Sequence, residues 1–484
     1  MYTKVLISVK RRCCILTTLI SVLFLPTVAP GVPDILQDPL RVQPDRLHTG
    51  ATFPDGSLIA STCAADLSQP LALESAIDIA LCNNPQIRSA WAGIKTQSAV
   101  LGEARAKYLP TIKISISRLA TRTSYSSFTG TPSSVLTGDQ IYGSINWSLL
   151  DFGGRSANNN MASQMLLAAL AAHEASLQKI MAGVIQAYFD AMMAQSNYVS
   201  RKKMADIAET VFSATKRREA GGAAPLSDTL QAATALAKAQ LNEARAKGEF
   251  SKSQSQLVQS MGLAPGTALL LPQTLELNRA DEVKELSLWL QEAKEQHPAI
   301  RQARAKSAAD KAKISMARSE GLPSLEATAY FSTNGYPNQG LSFSNQSVKV
   351  AGLTLNVPIF EGFGRTYKIR GAEAQAEQSE AQLQDTSNQI LTEVVKAHAD
   401  ALTSLGTLKA ALRLMGAAKQ SLNSSLRRYE RHAADILEVL NCQSSLADAE
   451  QERNRAVAEW RSARLRLQAN SGHMGKADFL EEQP

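Results

Sequence analysis

The chain has 484 residues, with 51 Lys and Arg against 44 Asp and Glu for a formal net charge of +7. Four of the basic residues and no acidic ones fall within the first 29 positions, so the rest of the chain carries only +3 and a nucleic-acid partner is not indicated. His48, His173, His297, His398, His432 and His473 are scattered without metal-ligand spacing, and no nucleophile, base and orienting trio is present. The sequence therefore predicts no enzyme, no resident metal and no cofactor.

Lys4, Lys10, Arg11 and Arg12 precede an uncharged apolar run from Cys13 to Leu25, followed by Thr27-Val-Ala29. This is the layout of an export signal spanning residues 1–29. The run reaches only about 20 Å as a helix, too short for a bilayer core of roughly 30 Å, and no later stretch offers 18 uninterrupted apolar residues. Entry into a membrane would thus require a closed β-barrel. Residues 30–70, rich in Pro and polar side chains, read as an N-terminal extension. Cys63, Cys82 and Cys442 remain after export, and a Cys63–Cys82 disulfide is one option for them.

From residue 71 onward the chain repeats itself. Asn84-Pro85-x-Ile87 returns as His297-Pro298-x-Ile300, and Tyr108-Leu-Pro110 as Gly321-Leu-Pro323, at an offset of 213. Trp147 to Arg155 (WSLLDFGGR) then pairs with Val357 to Arg365 (VPIFEGFGR) at 210, as do Ile180 with Ile390 and Arg218 with Arg428. The length change falls between Pro110 and Trp147, where Ser127 to Gly138 reads as an exposed loop, and Thr333 to Gln346 is its counterpart. The organisation is a first repeat over 71–262 (helix, hairpin 111–150, helical hairpin 156–262), a linker at 263–285, a second repeat over 286–470 (helix, hairpin 324–360, helical hairpin 366–470) and a tail at 471–484.

Each loop is flanked by alternating segments. Ile112, Ile114 and Ile116 oppose Lys113, Ser115 and Ser117; Ile141, Ile145 and Trp147 oppose Ser144, Asn146 and Ser148; Leu353, Leu355 and Val357 oppose Thr354 and Asn356. Alternation suits a membrane barrel with lipid outside and water inside, and equally a soluble sandwich.

Each hairpin feeds a long helix. Leu166, Leu170, His173, Leu177, Ile180, Val184, Ala187 and Ala191 follow one another by steps of 4 and 3, and Ile390, Val394, Ala397, Ala401, Ser404, Leu408 and Ala411 do so in the same register. Ala157 to Glu219 is free of proline and about 95 Å long as a helix. Small seam residues favour a broad, curved sheet of helices. Gly153, Gly154, Gly362 and Gly364 end strands ahead of helices and are predicted to form strand-to-helix bends, since no lysine follows to make a phosphate loop. Gly221-Gly222 with Pro225 reverses the first hairpin, and Asp435-x-x-Glu438 reads as a capping box in the second.

The signal segment, the two hairpin-plus-helix units, the NPxI motif, the YLP before the first strand, and LLDFGGR and PIFEGFGR after the second strands together resemble the TolC family of outer-membrane channels. The resemblance covers residues 71–470. It implies a mainly α fold with a small β part, in which four strands per chain contribute to a trimeric 12-stranded barrel over an α-helical tunnel in the periplasm. It also implies a homotrimer in outer-membrane lipid, working with a periplasmic membrane fusion protein and an inner-membrane ABC transporter as the exit duct for a secreted protein toxin. Drug or metal efflux is the alternative within this class, and a soluble periplasmic coiled-coil scaffold the alternative outside it. By the same resemblance the periplasmic aperture involves Asp228, Glu438, Arg428, Tyr429, Asp435 and Asn441. Asp228 and Glu438 are then expected to form carboxylate rings; the competing reading makes them ordinary first-turn acids favoured by the helix dipole.

Overall fold

The computed structural model describes residues 69–124, 133–222, 225–272, 283–334, 346–431 and 436–472, with positions 39, 40, 42 and 67. Every element below lies in the unit Pro44–Pro484. In chain order they are α1 (Leu73–Asn83), α2 (Pro85–Ala106), β1 (Thr111–Ser124), β2 (Ser133–Leu150), α3 (Gly154–Ala220) and α4 (Leu226–Ser260), then α5 (Leu286–Gln296), α6 (Pro298–Ser319), β3 (Ser324–Asn334), β4 (Gln346–Asn356), α7 (Gly364–Glu430) and α8 (Ile436–Ser471). The fold is mainly helical, with one small sheet and an internal two-fold repeat.

Ahead of each hairpin stand two helices rather than one. The break follows from the Asn-Pro and His-Pro pairs. Proline fits the first helical position, where its missing N–H is not needed. The residue before it caps the new helix: Asn84 Oδ1 accepts from the Gln86 N–H at 2.9 Å, and His297 Nδ1 accepts from the Ala299 N–H at 3.2 Å.

The long helices α3 and α7 each have 67 residues, about 100 Å of rod. On α7 the seam residues Val394, Ala397, Ala401, Ser404, Leu408 and Ala411 are buried while most of the helix is exposed; on α3 burial extends well beyond the seam. In the sheet-proximal half the helices lie side by side as α2, α3, α6 and α7, and in the far half as α4, α3, α8 and α7. The shorter helices abut end to end. At Gly262, with φ +70°, a Cβ would sit 3.1 Å from the backbone of Asn83; at its twin Gly472, with φ +89°, a Cβ would sit 2.9 Å from Cα of His297. Both positive φ and a facing backbone demand glycine at these two joints.

Two apolar clusters lie at repeat-related places. Ile77, Ile79 and Leu81 of α1 pack with Met181, Ile185 and Phe189 of α3 and Leu465 of α8. Trp289 and Ala293 of α5 pack with Val394 and Ala397 of α7 and Trp460 of α8.

The four strands form one antiparallel sheet in the order β1-β2-β3-β4, so β2 and β3 join the two copies. β1 and β2 stay paired up to Ser124 and Ser133. The expected loop at Ser127 to Gly138 is therefore partly strand: its Ser and Thr residues pair through backbone groups, which composition does not reveal. Residues 125–132 and 335–345 lie outside the described residues, as does Cys63; Cys82 is disulfide-bonded and Cys442 is free.

Candidate functional site: an open sheet and two helical tips

Register gathers most of the large apolar residues of the four strands on one face. Ile112, Ile145, Ala329 and Ala351 share one row, and Trp147, Ala327 and Leu353 another. In the next row beyond Ile112 and Ile145, the Phe331 ring fills the space a Cβ at Gly143 would need. This face is no core: Ile112, Ile114 and Ile116 are 69%, 68% and 67% exposed, and Leu353 and Leu355 are 68% and 63% exposed. Burying a large aliphatic side chain contributes about 1.5–3 kcal/mol, so ten half-covered ones forgo on the order of 10 kcal/mol, comparable with a domain's whole stability. The opposite face is polar, with Tyr142 and Tyr330 in ring contact at 5.8 Å beside Lys113, Ser144 and Thr328. Among the described residues, the outer edges of β1 and β4 have no strand partner.

The bends at the sheet's base are built alike in both repeats. Two consecutive residues are left-handed in each: Phe152 (φ 48°) and Gly153 (φ 98°), then Gly362 (φ 60°) and Phe363 (φ 64°). Gly154 and Gly364, predicted as part of the bend, instead open α3 and α7. The order of Phe and Gly is swapped between repeats, so glycine spacing alone does not identify which residues are left-handed. Gly154 is small for a different reason, because a Cβ there would lie 2.8 Å from Ser319 Oγ.

An acid–arginine pair braces each bend. Asp151 Oδ2 accepts from the Arg155 backbone N–H at 2.6 Å, and the Arg155 guanidinium donates to the carbonyls of Ser148 and Leu149 while lying 4.9 Å from the Tyr108 ring centre. Its twin Arg365 pairs with Glu361 at 3.4 Å, donates to the Gly321 carbonyl, and occupies the space that a side chain at Gly321 would need. Gly321 is the repeat twin of Tyr108, so one arginine lies over a ring and the other takes the place of one. Sequence reasoning saw these arginines only as motif letters; the i, i+4 acid is the signal that marks them. Trp147 Nε1 donates to the Tyr108 carbonyl at 2.9 Å, and Phe152, Ile359, Phe360, Phe363 and Tyr367 are all exposed near this level, Ile359 at 92%.

At the far ends lie the predicted aperture residues. Asp228 sits in the exposed first turn of α4, and its Oδ1 accepts from Ser227 Oγ at 3.2 Å; it has no ion pair among the described residues. Glu438, in the first turn of α8, accepts from Arg428 Nη1 at 2.7 Å. The two acids are repeat twins in different electrostatic states: one is compensated within the chain and the other faces solvent. Glu438 is thus seen closing an ion pair across the turn. Asn441 is exposed, its carbonyl accepting from Ser445 Oγ. Asp435 and the Tyr429 side chain lie outside the described residues.

No helix is long and apolar enough to cross a membrane, and no group of three or more His, Cys, Asp or Glu is placed to hold a metal, both among the described residues.

The sequence profile of the family described as outer membrane efflux protein matches residues 76–263 and 289–473. The chain is 33% identical to protein CyaE of Bordetella pertussis over 87% of its length and 88% of that protein. It is 24% identical to the alkaline protease secretion protein AprF of Pseudomonas aeruginosa, over 62% of this chain and 63% of that one. Among solved structures, the Campylobacter jejuni CmeC outer membrane channel superposes with a TM-score of 0.72 at 17% identity, covering 84% of this chain and 86% of that one.

Proposed function

Because the chain belongs to the outer membrane efflux protein family, we propose that three copies close one 12-stranded barrel over a shared helical tunnel, forming the exit duct of a type I secretion system. The protein is a non-enzymatic outer-membrane channel of the TolC family that extends into the periplasm.

The observation that carries the assembly is the sheet with its apolar face outward and both edges open. In hydrocarbon every unpaired backbone group costs several kcal/mol, so an open edge is not tolerated. Four strands are half the number in the smallest closed membrane barrels, and identical copies supply the rest. The stretch from Leu150 to Asp139 rises about 36 Å along the strand, or about 28 Å along the normal at a tilt of roughly 40°, close to an apolar band of about 25 Å. The Arg118–Asp139 pair, 3.8 Å apart, bounds that band at one end. Trp147 and the exposed aromatics of the bends bound it at the other, where amphipathic rings suit a membrane interface.

Secretion of a protein, a toxin by the family resemblance, with a membrane fusion protein and an ABC transporter as partners, is supported by the likeness to CyaE over most of the chain and by the likeness to AprF, a protein of alkaline protease secretion. The assembly is tested by native mass spectrometry and planar-bilayer conductance of detergent-extracted protein. Three chains per channel is the expected result; a soluble, non-conducting monomer overturns it. The cargo is tested by comparing culture medium from cells with and without the chain. Loss of one secreted protein with unchanged drug and metal tolerance supports secretion, and the reverse pattern supports efflux.

A further inference from the structure

The two hairpins are twins in register as well as in sequence. Ile112 pairs with Ile145 in the first, and their twins Leu325 and Leu355 pair in the second. Farther from the helices, Arg118 pairs with Asp139, and their twins Phe331 and Lys349 pair likewise. One level of the sheet thus carries an ion pair in the first hairpin and a bare lysine in the second. Arg118 lies 3.8 Å from Asp139. Lys349 is exposed and paired with Phe331, and its ammonium group has no ion pair or hydrogen bond among the described residues.

By strand parity Lys349 shares the outward, apolar face with Ala351 and Leu353. A bare ammonium is costly against hydrocarbon, and the cost falls towards the interface. A lysine stem can lie along apolar surface while its charge reaches the headgroup level. At the end of the sheet remote from the periplasmic helices, that level belongs to the outer leaflet.

The repeat brings a second cation to the same place. Resting on the assembly reading above, β4 of one copy lies beside β1 of the next, as β2 lies beside β3 within the chain. Ile141 pairs with Thr333 across β2 and β3; the twin of that pair sets Ala351 beside Ala120 of the adjacent copy. Two residues on, Lys349 is paired with Arg122 of the adjacent copy. Like charges directly opposite in a sheet repel, and an anion held between them removes the penalty. At the internal joint the place of Lys349 is taken by Asp139, so an anion is not held there.

We propose that Lys349, with Arg122 of the adjacent copy, holds the phosphate of an anionic outer-leaflet lipid at each joint of the ring. The lysine supplies a point charge and the arginine a planar fork, both suited to phosphate. The acyl chains of the lipid then run down the apolar face past Ala351 and Leu353.

The test is native mass spectrometry of the full-length protein, extracted in dodecyl maltoside and supplied with diphosphoryl lipid A. Lipid retained on the oligomer is expected. Apparent affinity should fall about tenfold with Lys349→Gln, which removes one charge-assisted hydrogen bond, and recover with Lys349→Arg. Lys113→Gln, on the polar face, should leave it unchanged. Equal retention by the unaltered protein and Lys349→Gln at equal oligomeric mass, or none by either, overturns the site. An equal loss with Lys113→Gln, or displacement of the lipid by inorganic phosphate at matching concentration, overturns it too, since the first marks unspecific attraction and the second a free-anion site. A monomeric native mass instead fails the assembly reading, and the shared site with it.

Discussion

Asp228 and Glu438 show how twin residues acquire different roles from one neighbour. With Arg428 beside it at 2.7 Å, Glu438 contributes little net field, while Asp228 faces solvent. Closely spaced carboxylates attract multivalent cations when they are uncompensated. Block of bilayer conductance by divalent cations should therefore weaken with Asp228→Ala more than with Glu438→Ala, and should strengthen with Arg428→Ala, which uncovers Glu438. Equal effects of the two acid variants would count against this asymmetry. The bends allow a cleaner energetic test. Gly153 and Gly362 are left-handed with open space around a would-be Cβ, so alanine there should cost only the backbone term, about 1–2 kcal/mol. Gly472→Ala adds a collision with the His297 backbone and should cost more; urea unfolding of each variant in detergent gives the ranking.

The joints between stacked helices extend this to the scale of elements. Burial lowers the His297 pKa from 6.5 to about 4, because the ring is capping a helix from inside a packed junction. The folded state resists protonation more than the unfolded chain, so this contribution is fully present above pH 6.5 and is lost as pH falls towards 4. The difference is on the order of 3 kcal/mol. His297→Asn, which installs the cap its twin Asn84 already uses, should flatten stability over that window; burial also lowers the pKa of His173, whose smaller slope remains. Much of this level was legible in the sequence. Seam spacing located the long helices, and alternation at Ile112 to Ile116 located the strands, because both report a periodic burial pattern. The breaks at Asn84-Pro85 and His297-Pro298 were also written there, as cap and first-turn proline, but served only as repeat markers. What could not be read were contacts between distant residues of similar type: which arginine reaches Glu438, or that Arg365 fills the space beside Gly321. Those depend on how two rods align, and composition carries no record of it.

For the whole molecule, the decisive feature is a sheet that is neither core nor surface within one chain. The mature protein should require detergent for extraction, and Ile114→Asp on the outward face should prevent stable membrane insertion while leaving the helical content measured by circular dichroism largely intact. Recovery of that variant in membranes at normal yield would argue against a lipid-facing sheet. The open edges at β1 and β4 also carry a genetic consequence. In the proposed assembly, a ring completed by identical neighbours cannot be repaired by a good chain sitting beside a bad one, since each joint involves two subunits. In a cell making equal amounts of normal and edge-defective chains, random mixing into the proposed trimer leaves only about one assembly in eight wholly normal. Alleles that damage these edges should therefore behave as dominant, whereas those that abolish synthesis of the chain should be recessive.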